Sequence, residues 1–345
     1  METVTIIYDC PLKQCDKLWL LHELEGKGFR VKTVAPCWKL SHIEQKGKSG
    51  KLFFYGLTFW QSLKGLIKSK PEETVICWSQ WSGLFFNQLP FSGKRNIISY
   101  NWLTPTPNSK TAFLYQKALR NPKLTAIINS PSTKEKLLEA YQVEDIGNIC
   151  YIPDVFDDEE VFKAPTYRED KKYWFCGGRA NRDWDLFLKL AEECPEEEFV
   201  GVAAASDWKK DKVIPKNVRM YFDISANEYY ELLQNCYAAV YPLKEDKVSG
   251  LINILKSAQF GKIVLTSDIE ATRLYYPKEC EDLLLPLEKE EVTLKRWQEA
   301  IQRISDFTKE EYLQKAGELQ AYIQVQFSPN MAGDILYQRI VSMKQ

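Results

Sequence analysis

The feature that most constrains this chain is an alternation of strand and helix signals that runs through it twice. In the first half, TVTIIY (3–8), FRVKTVAP (29–36), TVICW (74–78), NIISY (96–100) and TAIIN (125–129) are short apolar runs rich in β-branched residues. Runs of that length bounded by turn signals read as buried strands. Between the first two, Leu18, Leu21 and Leu24 recur at helical spacing, and Gly28 supplies a stop. Ser132 and Glu135 have the capping-box spacing for a helix through Tyr141. The alternation then restarts. YWFCGG (173–178), EFVGVAAA (198–205), VRMYF (218–222), AAVYPL (238–243) and KIVLTS (262–267) read as strands. DWDLFLKLAEE (183–193), EYYELLQNC (228–236, capped by Ser225 and Glu228) and LINILKSAQF (251–260, stopped by Gly261) read as helices. Thr308 and Glu311 cap a late helix, and the tail is helical.

Two such series predict an α/β chain with two Rossmann-like parallel-sheet domains facing a cleft, with ligands outside the carboxyl ends of the strands. The series are divided by DVFDDEEVFKAPTYREDKK (154–172), which is acidic and then broken by proline. The expected organisation is an N-terminal domain over 1–155, a linker over 156–172, a C-terminal domain over 173–320 and a helix in 321–345 returning to the N-terminal domain. A length of 345 residues suits two domains. At 45% hydrophobic and 27% charged residues, the composition excludes a disordered, collagenous or coiled-coil chain. No apolar run approaches the roughly 18 residues of a spanning helix, and no secretory signal is visible. Nine scattered cysteines with no CxxC pair suit a reduced, cytoplasmic setting. With only two histidines, His22 and His42, no metal site is expected.

Charge is unevenly placed. Residues 1–130 hold 18 Lys and Arg against 8 Asp and Glu, a net of +10, and the remainder holds 28 against 39, a net of −11. Within the basic half, KGKSGKLFFYGLTFWQSLKGLIKSK (46–70) interleaves six lysines with Phe53, Phe54, Tyr55, Phe59 and Trp60. That mixture suits an anionic membrane surface, as a peripheral contact. The plainer reading is a core helix with a lysine-rich outer face. No nucleic-acid motif accompanies the charge, and none is expected as a partner.

The sharpest local motif is Cys176-Gly177-Gly178-Arg179-Ala180-Asn181-Arg182-Asp183, where a strand delivers two glycines, two arginines and a helix start. Glycines let backbone amides approach a phosphate, and arginines fork onto its oxygens. The pattern is neither GxGxxG nor a P-loop, so nicotinamide and ATP chemistry lose support. A second strand ends in Pro242-Leu243-Lys244-Glu245-Asp246-Lys247-Val248-Ser249-Gly250 before a helix. There, Glu245 and Asp246 are candidate acceptors for sugar hydroxyls.

On these residues the C-terminal half resembles the donor domain of GT-B glycosyltransferases, most of all the family-4 retaining enzymes. GGRANRDWDLFLKLA resembles the diphosphate-binding loop, IPKNVRMYFDISANEYYELLQNCYAAVYPLK the base pocket leading to the sugar loop, and SGLINILKSAQFGKIVLTSD the loop-helix that meets diphosphate and ribose. CYIPDVFDDEEVF resembles the interdomain segment, and IINSPSTKEKLLEAY fits more loosely. The resemblance implies a retaining, metal-independent transfer of a sugar from a nucleotide diphosphate, UDP-linked by preference, to a glycan or lipid-linked acceptor in surface polysaccharide synthesis, with no cofactor besides the donor. It implies that Arg179 and Arg182 neutralise the diphosphate, with Arg182 nearest the reacting centre. Gly177, Gly178, Ser249 and Gly250 would supply amides, Ile224 would face the base, and Glu245, with Lys244 beside it, would serve the sugar.

The chain also departs from the family. Two glutamates eight residues apart are usual there; here the helix position aligns with Lys256, and counting eight from Glu245 reaches Asn253, a candidate ribose ligand. In the N-terminal half Asp9-Cys10-Pro11-Leu12-Lys13 replaces a glycine-rich loop, and Tyr100, Asn101 and Trp102 stand where a histidine is often found. Asp9, Tyr100 and Asn101 are thus the acceptor-side candidates. The missing glutamate carries a second reading, a catalytically inactive GT-B-like subunit that partners an active transferase.

Overall fold

A computed structural model describes all residues except 1, 15–18, 41–46, 103–106, 157–161, 168–172, 180, 209–211, 246–248, 288–289 and 345. Most of the acidic linker and Asp246 therefore lie outside the described residues. In chain order the elements are β1 (Thr3–Ile7), α1 (Trp19–Gly26), β2 (Arg30–Val34), α2 (Gly47–Lys68), β3 (Thr74–Cys77), α3 (Gln80–Gln88), β4 (Asn96–Ser99), α4 (Ala112–Leu119), β5 (Leu124–Ile128), α5 (Ser132–Tyr141) and β6 (Ile149–Tyr151). There follow β7 (Tyr173–Gly177), α6 (Trp184–Glu193), β8 (Glu198–Ala203), β9 (Val218–Phe222), α7 (Ala226–Asn235), β10 (Ala238–Tyr241), α8 (Ile252–Gln259), β11 (Ile263–Asp268), α9 (Glu270–Arg273), β12 (Leu284–Pro286), α10 (Glu290–Ser305), α11 (Lys309–Gln326) and α12 (Pro329–Ser342).

The chain divides into two compact units, Met1–Asp157 with Pro329–Gln345, and Asp158–Ser328. The segment that joins the first unit thus begins at Pro329 and not at 321, because residues 321–326 complete α11 of the second unit. Each unit is built on a six-stranded sheet whose pairings are all parallel. Strands buried on both faces explain the continuous apolar runs of the sequence.

In the first unit the order is β2-β1-β3-β4-β5-β6. Neighbouring strand residues point to opposite faces and both are buried. Ile6, Ile76 and Ile98 join a core with Leu20 and Leu24 of α1 and Leu336 and Ile340 of α12. Ile7, Val75 and Ile97 join the opposite core with Leu84, Leu114 and Leu137 of α3, α4 and α5. Helix α2 lies on that second face, and its Gly65 sits so close to β1 that a Cβ there would stand 2.3 Å from Ile7 Cδ1. In the second unit the order is β12-β11-β10-β7-β8-β9. The chain leaves β7 toward β8 and β9, then returns to build β10 on the other side. That reversal puts a switch point at the loops that follow β7 and β10, where ligands of open α/β sheets bind. In the first unit the corresponding switch lies between β1 and β3.

Local signals decided several helix ends. The boxes at Ser225/Glu228 and Thr308/Glu311 form as their spacing predicts. The expected box at Ser132/Glu135 does not form. Pro131 already takes helical backbone angles, so Ser132 is the first helical residue, and the Thr133 N–H donates to the Ser130 carbonyl instead. All eight described cysteines are free.

The C-terminal α12 is a structural part of the first unit. Its Leu336 is fully buried, and its Arg339 Nε donates to Thr125 Oγ1 at 2.8 Å. Leu336→Ala is expected to destabilise that unit by roughly 2–5 kcal/mol, the range for emptying a buried leucine site. Urea denaturation with amide exchange will read this as lost protection in β1 and β5, with the amides of β7 and β10 unchanged.

Candidate functional site

The candidate site is built at the switch point of the second sheet. Strand β7 ends at Gly177 and hands over to a loop that reaches α6 at its N-cap, Asp183, whose carboxylate accepts from the Leu186 N–H. Strand β10 ends at Tyr241 and hands over to the loop that leads to α8. The two loops are zipped together. Arg182 and Leu243 form an antiparallel bridge, and the Asp183 N–H donates to the Pro242 carbonyl at 2.9 Å. Asn181, at φ +56°, donates its side-chain amide to the Glu245 carbonyl and accepts the Glu245 N–H. Its own carbonyl accepts the Lys244 N–H. Asparagine tolerates the left-handed region better than other non-glycine residues, which fits Asn181 to this turn.

Arg182 turns inward from this zipper. Its Nε donates to the Gly177 carbonyl and its Nη2 to the Gly250 carbonyl, both at 2.8 Å. Its guanidinium lies 4.5 Å from the centroid of the Tyr241 ring. The side chain is 3% exposed, and Nη1 is buried without a hydrogen-bond partner. Among the described residues it has no carboxylate partner. A buried cation is expensive unless polar groups surround it. Here two carbonyls and an aromatic face compensate in part, and the N–H groups of Nη1 are left without an acceptor.

The glycines fit this arrangement through space and carbonyls, and less through amides. Gly178, at φ +117°, has no room for a side chain, because a Cβ would stand 2.5 Å from Asn253 Nδ2 and 3.4 Å from Arg182 Nε. Its N–H is committed to the Val202 carbonyl at 3.2 Å. The expectation that Gly178 offers its amide to a phosphate is therefore corrected. Gly177 contributes its carbonyl, which accepts from both Arg182 and Asn253. One N–H of the Asn253 side-chain amide is used in that bond, so its role as a ribose ligand rests on the second N–H and Oδ1. A Cβ on Gly177 would meet Tyr229 at 2.5 Å. Burial pushes the Tyr229 and Tyr241 hydroxyls well above their usual range, with the nearby Arg182 opposing. Burial likewise pushes the Cys176 thiol up to about 12.

The remaining candidates are spread around this centre. Gly250, at φ +77°, and Ser249 lead into α8 and are half-buried. Arg179 is exposed and reaches Ser206 at 3.3 Å. Ile224 is half-buried beside Asp223, whose carboxylate accepts the Ala205 N–H. Lys244 and Glu245 are exposed and line an open pocket of about 720 Å³ with Asp183, Asp185 and Lys189. Sequence reasoning missed Asn181, Tyr229 and Tyr241. Only Asn181 left a signal, a residue suited to left-handed backbone inside a glycine-arginine loop.

In the first unit the acceptor-side candidates cluster at the carboxyl ends of β1, β3 and β4. Tyr100 is buried, stacks on Trp78 at 4.7 Å, and its hydroxyl has no hydrogen-bond partner. Burial pushes that hydroxyl far above its usual range. Asn101, at φ +62°, donates to the Trp78 carbonyl at 2.7 Å and so fixes the two loops together. Asp9 is half-buried, and its carbonyl accepts the Leu40 N–H. Asn129 and Asp154 lie at the ends of β5 and β6 and contact each other at 3.4 Å.

Solved structures similar to this chain span its whole length. A glycosyltransferase from Rickettsia africae ESF-5 matches at TM-score 0.72 and 9% identity, covering 100% of this chain and 99% of that one. Anabaena HepE, in complex with UDP and glucose, matches at 0.67 and 12%, covering 99% and 100%. The trehalose-6-phosphate protein of E. coli bound with UDP-2-fluoro glucose matches at 0.70 and 9%, covering 98% and 99%. No family model and no curated protein matches the sequence. The likeness shows the fold: the chain has the GT-B architecture, with a Rossmann-like parallel sheet in each unit.

Two outcomes follow from the packing. Gly178→Ala is expected to destabilise the second unit by about 1–3 kcal/mol, the scale of a residue held in a forbidden backbone region, and a urea titration will measure it. Cys176 should resist iodoacetamide in the folded protein up to pH 9, because its thiol stays protonated, whereas exposed Cys37 reacts. Mass mapping of the alkylated peptides will separate the two.

Proposed function

We propose that the chain is a glycosyltransferase that moves a sugar from a nucleotide diphosphate sugar, UDP-linked by preference, to a glycan or lipid-linked acceptor. The observation that carries this reading is Arg182, a buried guanidinium at a sheet switch point whose Nη1 has no hydrogen-bond partner and which has no carboxylate partner among the described residues. An anion of two phosphates is the natural complement of such a site. Gly178 leaves room for the Arg182 and Asn253 side chains beside it, and exposed Arg179 adds a second cation on the same loop. The similar structures solved with UDP and UDP-2-fluoro glucose support the donor class.

The transfer proceeds with retention and without a metal. The bond between the anomeric carbon and the diphosphate oxygen breaks as a bond to the acceptor oxygen forms on the same face. The acceptor proton passes to the leaving phosphate oxygen. Charge builds on the diphosphate, and preorganised cations there stabilise it; losing one such donor typically raises a barrier by about 2.7–4 kcal/mol. Arg182 and Arg179 take that role, with Glu245 and Lys244 toward the sugar and the backbone near Ile224 toward the base. Tyr100, Asn101 and Asp9 belong to the acceptor side. The setting is surface polysaccharide synthesis on the cytoplasmic face of an anionic membrane, met through the basic segment 46–70. A second reading, an inactive partner subunit, is favoured by one observation: α8 carries Asn253 and no acid in its first turn, and that amide is used on Gly177.

Thermal shift with UDP, GDP, CDP and ADP and their sugars, with and without EDTA, tests the proposal. The expected result is selective stabilisation by a uridine nucleotide that EDTA leaves unchanged, about 2.7 kcal/mol at a hundred times the dissociation constant. Stabilisation that EDTA abolishes would overturn metal independence. No shift with any nucleotide would favour the inactive subunit. Arg179→Ala should weaken donor binding about 10- to 100-fold, as for a lost hydrogen bond to a charged group, without changing the melting temperature of the free protein. Arg182→Ala should abolish binding and also lower that temperature.

A further inference from the structure

Helix α2 buries polar residues beside its apolar ones and exposes large apolar residues. On a helix that covers a sheet, polar residues are expected to face solvent. Here the inward side carries Thr58, Gln61 and Ser62, which are 1%, 4% and 0% exposed, together with buried Phe54 and with Leu66 packed on the core. Two of them are satisfied locally: Thr58 Oγ1 donates to the Phe54 carbonyl, and Ser62 Oγ donates to the carbonyls of Thr58 and Ser82. The outward face carries Leu52, Phe53, Phe59, Trp60 and Ile67, which are 75%, 55%, 44%, 49% and 76% exposed. At 100° per residue these five fall within a sector of roughly 120°, which makes one continuous stripe on a helix roughly 33 Å long. The expectation of a lysine-rich outer face is corrected: the outer face is apolar, and lysines border it.

The border is of one sign. Segment 47–68 contains four lysines and no acidic residue. Lys64 is exposed at one edge of the stripe, with its Nζ 5.6 Å from the Trp60 ring, and Lys51 is exposed on the flank about 80° beyond the other edge. Lys68 is anchored on the Thr33 carbonyl, at the foot of the helix. An apolar stripe with aromatic residues and a rim of cations alone is the complement of a bilayer interface, where anionic headgroups overlie hydrocarbon. No described helix is long and apolar enough to cross a membrane.

We infer that α2 is an in-plane membrane helix, inserted through the stripe of Leu52, Phe53, Phe59, Trp60 and Ile67 into an anionic lipid surface, with Lys51 and Lys64 at the headgroups. This rests on the membrane contact proposed above and adds its mode, which is insertion rather than attraction of charge alone. Gly65 seats α2 on Ile7 of β1, and Ser62 ties it to Ser82 of α3, while its outer stripe remains available.

The test is flotation of the full chain with vesicles of phosphatidylcholine alone and of phosphatidylcholine with phosphatidylglycerol, at low and high salt. Phe53→Ser with Trp60→Ser removes the stripe, and Lys51→Gln with Lys64→Gln removes the rim. Both pairs are exposed, so the melting temperature should hold. The expected result is binding to the anionic vesicles only, weakened at least tenfold by the first pair and about fivefold per lysine by the second. Doxyl-labelled lipid should quench less tryptophan emission in Trp60→Phe than in the native chain. Anionic binding that the stripe variant leaves intact, and that salt abolishes, would overturn insertion while the membrane contact stands. No binding to either vesicle would overturn both, and the nucleotide shift on the same sample would keep the donor reading separate. Self-association that disappears in the stripe variant would assign the face to a second copy of this chain and overturn the inference.

Discussion

The guanidinium of Arg182 holds the carboxyl end of the second sheet in shape. It ties Gly177 at the end of β7 to Gly250 at the start of α8, while its plane rests on Tyr241 of β10. Three pieces that approach from different parts of the sheet are thereby set at fixed separations. The packing around it follows from that choice. Gly178 has no side chain because Arg182 and Asn253 fill the space. Asn253 shares the carbonyl that Arg182 uses. Asn181 draws the loop after β10 against the arginine's own backbone. The charge opposes, and does not overcome, the burial that keeps Cys176 and Tyr229 protonated. A cation buried this way is poorly compensated by carbonyls alone, and the residual field is what an anionic ligand would meet.

The two units place unlike chemistry at equivalent points of related topologies. At the switch in the second unit a cation and tight glycine backbone meet. At the switch in the first, Trp78 and Tyr100 stack, and Asn101 braces their loops. Both depend on the same physical fact. Where a parallel sheet is extended in opposite directions from adjacent strands, polar backbone ends are left at the switch point, which is where ligands of open sheets bind. What fills each switch point then decides which ligands it suits.

Legibility in the sequence followed locality. The long strands were plain because burial on two faces makes them apolar throughout; β6 and β12, three residues each, gave too short a run. Helices α3 and α4 left no clear period, because QWSGLFFNQ and AFLYQKAL are apolar on several sides while packed against both sheet and neighbouring helices. Capping boxes were readable where the capping residue itself stays extended, as at Ser225 and Thr308, and misleading at Ser132, which is already helical because Pro131 starts the helix early. Of the candidate site, Gly177, Gly178, Arg182, Gly250 and Asn253 do come together. Lys244 and Glu245 instead line the pocket beside Asp183.

By itself the sequence determined the two α/β series, the position of the glycine-arginine loop, the uneven charge and the aromatic-lysine segment. These depend on residues within a few positions of one another, and local periodicity and turn chemistry are enough to express them. Only the tertiary structure decided which way each group points. Arg182 faces inward because its partners, Gly250 and Tyr241, lie far along the chain. The Gly178 amide is consumed because β8 arrives beside β7. The α2 helix turns its apolar stripe outward because Gly65 seats the opposite side on Ile7. Each is a choice among faces that the local sequence leaves equal, and only contacts between distant segments break the tie.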